Sequence, residues 1–410
     1  MKNLTQLFSI VVLLALIGCG GGGSGSESGA EAISEIGVTD STITIGSWGP
    51  LTGPAALWGD VPRGVDAYFH YINQQGGIHG RKVKVIYKDD GYQPSKTVAA
   101  VREMVERDEV FAFVGGVGTA PCMAVRDYIT RNNIPWVSPA SGATHWAYPP
   151  VDNIFSTYSL YFDESTTQVD YIVNTLGVDK IAMIYQNDDF GKSGLAGVQV
   201  ALEKYNLELL EEISTEVTDQ DLGSHVARLQ QSGAEVVIMQ VLPRQGAIIT
   251  GTAAVLGYSP QFVTNSTLSD ASLMYKITEG RWAGVLFSGF FDVSPEGVDI
   301  AGYQAALKSK YPDVAWTTFV ASGFYFSEPV VQALKNAGPD LTRAKFIAEM
   351  EKLQNFKGMG IPITFGVDKR QGTRGAAMYK VTEDGGIERV SDYLVTDENL
   401  DKAIQRLSDL

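Results

Sequence analysis

Short apolar runs at strand spacing alternate with longer segments at helical spacing along most of the chain. Ile43 and Ile45 stand at alternate positions before the turn Gly-Pro-Leu-Thr-Gly-Pro at 49–54, and residues 65–72 read as the helix that follows. Residues 82–87 read as a strand, and 94–107 as a helix whose Val98, Val101, Met104 and Val105 share one face. Strands at 110–114 and 134–137 end in small-residue turns at 115–119 and 138–144, with a helix over 120–132 between them. The pattern then restarts. Strands at 180–185, 207–213, 235–240 and 261–264 alternate with helices over 195–205, 222–231 and 244–256. Residues 285–291 lead the chain back to the first half, helices follow over 322–337 and 344–353, and 378–381 and 390–394 read as closing strands. Repeated strand–helix units predict parallel sheets, and two such halves predict an α/β fold of two Rossmann-like lobes.

In open parallel sheets ligands bind beyond the carboxyl ends of the strands. The loop that follows the first strand places Trp58 there, a flat side chain on which a ligand can stack, so this loop is expected to form one jaw of a cleft. Thr119, Ala140, Ser141, Gly142 and Phe190 fall on the equivalent loops of later strands. Small residues with open backbone N–H groups at a helix start can hold a carboxylate without any arginine, and aromatic walls can enclose an apolar group beside it. Trp58 would serve equally as a plug for a hinge, and the small-residue loops as ordinary tight turns.

Composition narrows the partners. With 410 residues, 44% of them hydrophobic and 19% charged, the chain has the make-up of a globular protein with room for two cores. A net charge of −15 argues against a nucleic-acid partner, which needs clustered Lys and Arg. At the N-terminus, Lys2 precedes an apolar run over 7–17, too short to span a bilayer and right for the core of a signal peptide. The run ends in Leu-Ile-Gly-Cys at 16–19, which resembles the lipobox of bacterial lipoproteins and implies a diacylglycerol on Cys19 and a membrane held through that anchor. A Gly/Ser tract then reads as a flexible tether. Gly20, where an aspartate would mark inner-membrane retention, points to the outer membrane. Cys122 is left without an intrachain partner and reads as a small buried residue.

Catalytic constellations are missing from the sequence. The four histidines show no metal spacing, the turn at 115–119 is neither a phosphate loop nor a dinucleotide fingerprint, and no nucleophile elbow stands at a strand end. The acid pairs Asp89-Asp90 and Asp188-Asp189 fit turn and helix-cap duty better than acid–base chemistry. The expectation is a protein that is not an enzyme and carries no metal or cofactor.

Several stretches occur in one order and register: Gly-Pro-Leu-Thr-Gly-Pro at 49–54, Trp-Gly-Asp at 58–60, Ile-Asn-Gln-Gln-Gly-Gly-Ile-His-Gly at 72–80, Lys-Asp-Asp at 88–90 with Pro94, and Ser-Pro-Ala-Ser at 138–141. In this the chain resembles type I periplasmic binding proteins, most of all the leucine/isoleucine/valine-binding branch that serves ABC importers. The resemblance runs from about Ile43 to about Leu394. It implies a small-molecule ligand held between two hinged lobes and an ABC permease as partner. By the same resemblance Thr119 and the loop Ala140-Ser141-Gly142 hold a ligand carboxylate, and Trp58 and Phe190 supply aromatic walls. Three positions depart from it. Gly142 replaces a threonine, Leu242 stands near an expected tyrosine, and Ser266 near the glutamate that pairs with a ligand ammonium. Asp270 or Asp189 would have to stand in for that acid. A carboxylate-bearing solute without an amino group fits as well, and relatives bind aromatic acids, amides and urea.

The organisation that follows is a signal peptide over 1–18, a lipidated Cys19 and tether over 19–40, a first lobe over 41–160 and 290–366, and a second over 161–289 and 367–410. A ligand-sensing module that signals to a receptor is the rival to transport.

Overall fold

The computed structural model describes residues 35–290, 297–395 and 399–410; the signal peptide, Cys19 and the Gly/Ser tract lie outside the described residues. Chain order is β1 (Thr42–Gly49), α1 (Asp60–Gln74), β2 (Lys82–Asp89), α2 (Pro94–Glu106), β3 (Ala112–Val114), α3 (Thr119–Arg131), β4 (Trp136–Val137) and β5 (Ile154–Phe155). Then come α4 (Tyr161–Tyr171), β6 (Ile181–Gln186), α5 (Asp189–Glu203), β7 (Glu212–Thr215), α6 (Gly223–Gln231), β8 (Val236–Gln240), α7 (Pro243–Val255), β9 (Gln261–Thr264), α8 (Ala271–Ile277) and β10 (Leu286–Gly289). The chain closes with α9 (Ile300–Lys310), α10 (Thr318–Ala337), α11 (Arg343–Glu351), β11 (Ala377–Val381), β12 (Ile387–Arg389) and α12 (Leu400–Asp409).

These strands make two sheets. The first has five strands in the order β2-β1-β3-β4-β5, all parallel. The second has seven in the order β12-β11-β10-β9-β8-β6-β7; β6 to β10 run parallel, and β11 and β12 are added antiparallel at one edge. This is the α/β architecture of two mostly parallel sets that the alternating pattern predicts, and each set has its own apolar core.

Neighbouring crossings join the sheets. Ser156, just past β5, pairs as an isolated parallel bridge with Gln371, so the stretch that leaves the first sheet runs beside one that returns to the second. Ser156 N–H donates to Arg370 O at 2.8 Å, and Gly372 N–H to Ser156 O at 2.8 Å. Below this bridge Arg374 grips the buried Asp163 through both carboxylate oxygens, at 2.6 and 2.7 Å. These crossings are the segments about which the two sheets would move in a hinge-type opening.

Element edges differ from the expected ones where packing overrides local pattern. Residues 285–291 are not simply a return path: β10 is a full member of the second sheet before the chain crosses. The strand expected at 207–213 begins only at Glu212, and 390–394 contribute one isolated bridge, from Leu394 to Ala376, beside β12. Helix α4 has no amphipathic stripe because nearly all of it is buried, polar Asp163 to Gln168 included. Residues 35–40, expected to belong to the tether, are tied to the body: Arg343 N–H donates to Glu35 Oε2 at 3.0 Å and Arg81 Nε to Thr39 O at 2.7 Å. Among the described residues no helix is long and apolar enough to cross a membrane.

Candidate functional site

Loops at the carboxyl ends of both sheets meet over one small cavity, walled by Trp58, Tyr92, Val117, Gly118, Thr119, Ala140, Tyr158, Tyr161, Phe190, Leu242 and Thr267. On the first-sheet side, the acid pair after β2 builds the wall rather than doing chemistry. Asp89 accepts from Thr52 N and Oγ1 at 3.2 and 2.7 Å and from Gly91 N at 2.9 Å, which pins the Gly/Pro turn. Asp90 accepts from Tyr92 N at 2.9 Å and Thr97 Oγ1 at 2.8 Å, which sets Tyr92 in place. The turn pinned in this way presents Trp58, whose ring lies 4.6 Å from that of Phe319.

Helix α3 starts at Thr119 with no side-chain cap, so its first turn keeps the partial positive charge of open N–H groups. Thr119 Oγ1 and Ser141 Oγ are 2.7 Å apart and buried, and Ala143 N–H donates to Ser141 Oγ at 3.3 Å. A Cβ on Gly142 would stand 2.4 Å from Ser159 O and 2.8 Å from Tyr161 N, so the chain's close approach here admits no side chain. Glycine at this position is a packing requirement. The Tyr161 ring packs over this corner and meets Phe190 edge-on at 5.2 Å. Asp188 caps α5 by accepting from Phe190 N and Gly191 N at 3.0 and 3.2 Å, which orients Phe190.

The two sides are in direct contact. Trp58 Nε1 donates to Thr267 O at 3.1 Å, Thr318 N–H donates to Asp270 Oδ2 at 2.9 Å, and Leu242 packs with Ala55 and Tyr92. The walls leave about 20 Å³, room for about one water. Passage of any solute therefore requires the lobes to part. A second cavity of about 510 Å³ lies beyond Ser266 and Phe290, lined also by Asp270, Phe287, Trp316 and Tyr379.

Of the residues expected from sequence, Trp58, Thr119, Ala140, Phe190 and Leu242 line the small cavity. Ser141 and Gly142 stand directly behind Thr119 and Tyr161. Ser266 borders the second cavity and bonds Tyr158 OH at 2.7 Å through its Oγ. The two expected substitute acids are placed differently, Asp270 on the lining of the second cavity and Asp189 away from both cavities. Asp270 is engaged by Leu273 N and Thr318 N, and Asp189 is exposed at the start of α5. Sequence reasoning missed the wall residues Tyr92, Tyr158, Tyr161 and Thr267; Glu164, which lines neither cavity, is buried nearby and bonded by Ser266 N–H. Burial and a neighbouring Asp163 push the Glu164 carboxyl up to about 8 against the pull of hydrogen bonds from Ser266. Cys122 is buried, donates to Gly116 O at 3.2 Å, and burial pushes its thiol well up, which makes it an inert packing residue.

The periplasmic binding protein family model matches residues 42–386. A Leu/Ile/Val-binding protein homolog from Brucella melitensis is 27% identical over 67% of this chain and 74% of its own length. A fatty acid ABC transporter substrate-binding protein from Thermomonospora curvata superposes with a TM-score of 0.80 at 25% identity, over 90% of this chain and 95% of that one. A branched-chain amino acid ABC transporter protein from Thermus thermophilus, with bound valine, has a TM-score of 0.78 at 20% identity, over 87% and 97% of the two chains, and shares the fold. The protein belongs to the periplasmic binding protein family, a family of extracytoplasmic solute-binding proteins and not of enzymes, and its relatives include proteins named for Leu/Ile/Val binding.

Proposed function

We propose that this chain is the lipid-anchored solute-binding component of an ABC importer. It captures a small carboxylate-bearing solute, a hydrophobic amino acid or a related acid, and delivers it to a membrane permease. The first lobe, over 41–160 and 290–366, supplies the carboxylate corner at Thr119, Ala140, Ser141 and Gly142 and the wall at Trp58. The second, over 161–289 and 367–410, brings Phe190, Leu242 and Ser266 to the opposite side. The observation that carries this reading is the pair of buried hydroxyls, Thr119 and Ser141, at the uncapped start of α3 inside an aromatic-walled cleft. Open N–H groups and hydroxyls without a nearby cation suit a carboxylate attached to an apolar body. Relatives named for leucine, isoleucine and valine support it, and so does the fatty acid-binding neighbour, since all of these ligands pair a carboxylate with a hydrocarbon.

A thermal-shift screen of the purified protein against hydrophobic amino acids, their des-amino acids and the corresponding amides tests the reading. A ligand that binds only the folded form raises the melting temperature by mass action. Carboxylates are expected to shift it and amides of the same size are not; the reverse order overturns the carboxylate assignment. Labelled palmitate on the wild-type chain and none on Cys19→Ala is the result expected of the anchor.

A further inference from the structure

Glu164 is fully buried in the first turn of α4, behind the cavity walls rather than on them, with the Ser266 and Ser288 hydroxyls near its carboxyl. Oε1 accepts from Ser266 N–H at 3.1 Å, and Oε2 has no hydrogen-bond partner. In front of it Tyr158 OH and Ser266 Oγ, bonded to each other, form the seam between the small cavity and the larger one. A buried carboxyl oxygen without a partner costs about 1–3 kcal/mol, and more if it is ionised, so it is not a neutral detail of packing.

We infer that Glu164 is the acidic group that sets ligand specificity: it takes up a ligand ammonium at the Tyr158–Ser266 seam and gives up its own proton in doing so. The inference rests on the carboxylate-solute reading above and adds the second charge of the ligand, which makes it an amino acid.

The charge surroundings fit this assignment. The titratable groups nearest Glu164 are Tyr158 and Tyr161, whose phenols burial keeps neutral, and Asp163, whose charge repels a second anion. Arg374 is engaged with the neighbouring Asp163 through a fork of two bonds. Behind it Ser288 Oγ accepts from Gln168 Nε2 at 2.8 Å, and the Ser288 hydroxyl pulls the Glu164 carboxyl back down without matching the effect of burial. Without a ligand the carboxyl therefore stays protonated at neutral pH, pushed up to about 8 by its burial. An ammonium beside Oε2 supplies the missing cation, favours the carboxylate, and sends one proton to solvent: a neutral carboxyl and an ammonium become an ion pair plus a free proton. A ligand with a carboxylate and no amino group leaves Glu164 neutral and moves no proton.

Calorimetric titration at pH 6.5, in buffers of different ionisation heat, reads that proton. L-leucine and its des-amino counterpart 4-methylpentanoate are the probes, against wild type and Glu164→Gln. Leucine is expected to release close to one proton from wild type and none from E164Q, with affinity lowered at least tenfold in the variant. Binding of 4-methylpentanoate should be the same in both proteins and proton-neutral. Equal leucine affinity and equal proton release in the two proteins overturns the inference, and so does 4-methylpentanoate binding wild type more tightly than leucine, although either leaves the carboxylate-solute reading standing. If wild type binds no carboxylate at all, both readings fall. Infrared difference spectra of wild type need no variant: loss of a protonated-carboxyl stretch on adding leucine supports the assignment, and its persistence at saturation refutes it.

Discussion

Asp163 and Glu164 are neighbours in one turn of α4, both fully buried, and their surroundings could hardly differ more. Asp163 faces the hinge, where Arg374 holds both of its oxygens and Gly375 N–H adds a third bond at 3.2 Å. Glu164 lies behind the residues that wall the cleft, with one backbone bond from Ser266 N–H and one oxygen without a hydrogen bond. The hinge is electrostatically complete within the chain. Behind the cleft one carboxyl oxygen is left without a hydrogen bond, and on the inference above a ligand ammonium completes it. A binding protein gains from this division: the pivot stays rigid whether or not a solute is present, while the open valence sits where a solute can close it.

Removing the hinge cation should have the largest effect. In Arg374→Met, Asp163 is left as a buried charge without its partner, and breaking such a pair costs about 3–5 kcal/mol. Urea unfolding at pH 7 reads the loss directly. A change under about 1 kcal/mol would mean that the hinge relaxes enough to hydrate the carboxylate, and the contrast between the two acids would then be one of degree.

The complementary experiment concerns Glu164 and pH. Its folded value, about 8, lies above the ordinary 4.5, so the folded protein holds a proton that the unfolded chain has released. The favourable contribution is complete below 4.5 and is lost as pH rises through 8. Between pH 5 and 7 that slope amounts to roughly 2–3 kcal/mol in a site this deeply buried. Glu328, pushed up to about 7 by burial in α10, slopes the same way, but it is present in both proteins, so the melting-temperature difference between wild type and E164Q isolates Glu164. That difference should drift steadily against wild type as pH rises; a flat difference would show Glu164 ionised throughout.

The contrast also explains what could be read from sequence. The first-sheet wall was legible because its groups sit in contiguous turns with strong local chemistry: the Gly/Pro turn that presents Trp58, the small residues up to Thr119, and the Ser-Pro-Ala-Ser corner. The acid pairs were legible as turn and cap residues, and Asp89, Asp90 and Asp188 bond as such. The stretch that carries Tyr158, Tyr161, Asp163 and Glu164 was not. Its helix is buried on nearly every side, so it shows no periodic stripe, and its acids look like an ordinary charged surface turn until tertiary packing encloses them. Asp270 and Asp189 were the visible acids near the right loops. One is buried on the lining of the larger cavity and bonded by two backbone N–H groups, and the other is exposed, a distinction that only three-dimensional packing makes.

Within the cleft, Trp58→Ala removes the largest wall and, with it, the bond to Thr267 O that ties the two sides together. An enclosed aromatic of this kind is worth about 2 kcal/mol or more, roughly a thirtyfold loss of affinity for leucine by calorimetry. Leu242→Ala should cost less, since the side chain it removes is smaller and packs mainly on Ala55 and Tyr92. Equal losses from the two would mean that closure, rather than contact with the solute, dominates affinity.

The smallest expected effect is the one that best separates the two charges of the ligand. In Ser141→Ala, Thr119 Oγ1 loses its 2.7 Å partner, and the corner keeps its backbone donors. Losing one hydroxyl of a shared pair costs about 1 kcal/mol, near fivefold in affinity. Because both probes carry the same carboxylate, leucine and 4-methylpentanoate should weaken by the same factor, whereas E164Q weakens leucine alone. A Ser141→Ala effect confined to leucine would put the ammonium, not the carboxylate, at Thr119 and Ser141, and would reverse the orientation of the ligand between the two ends of the cleft.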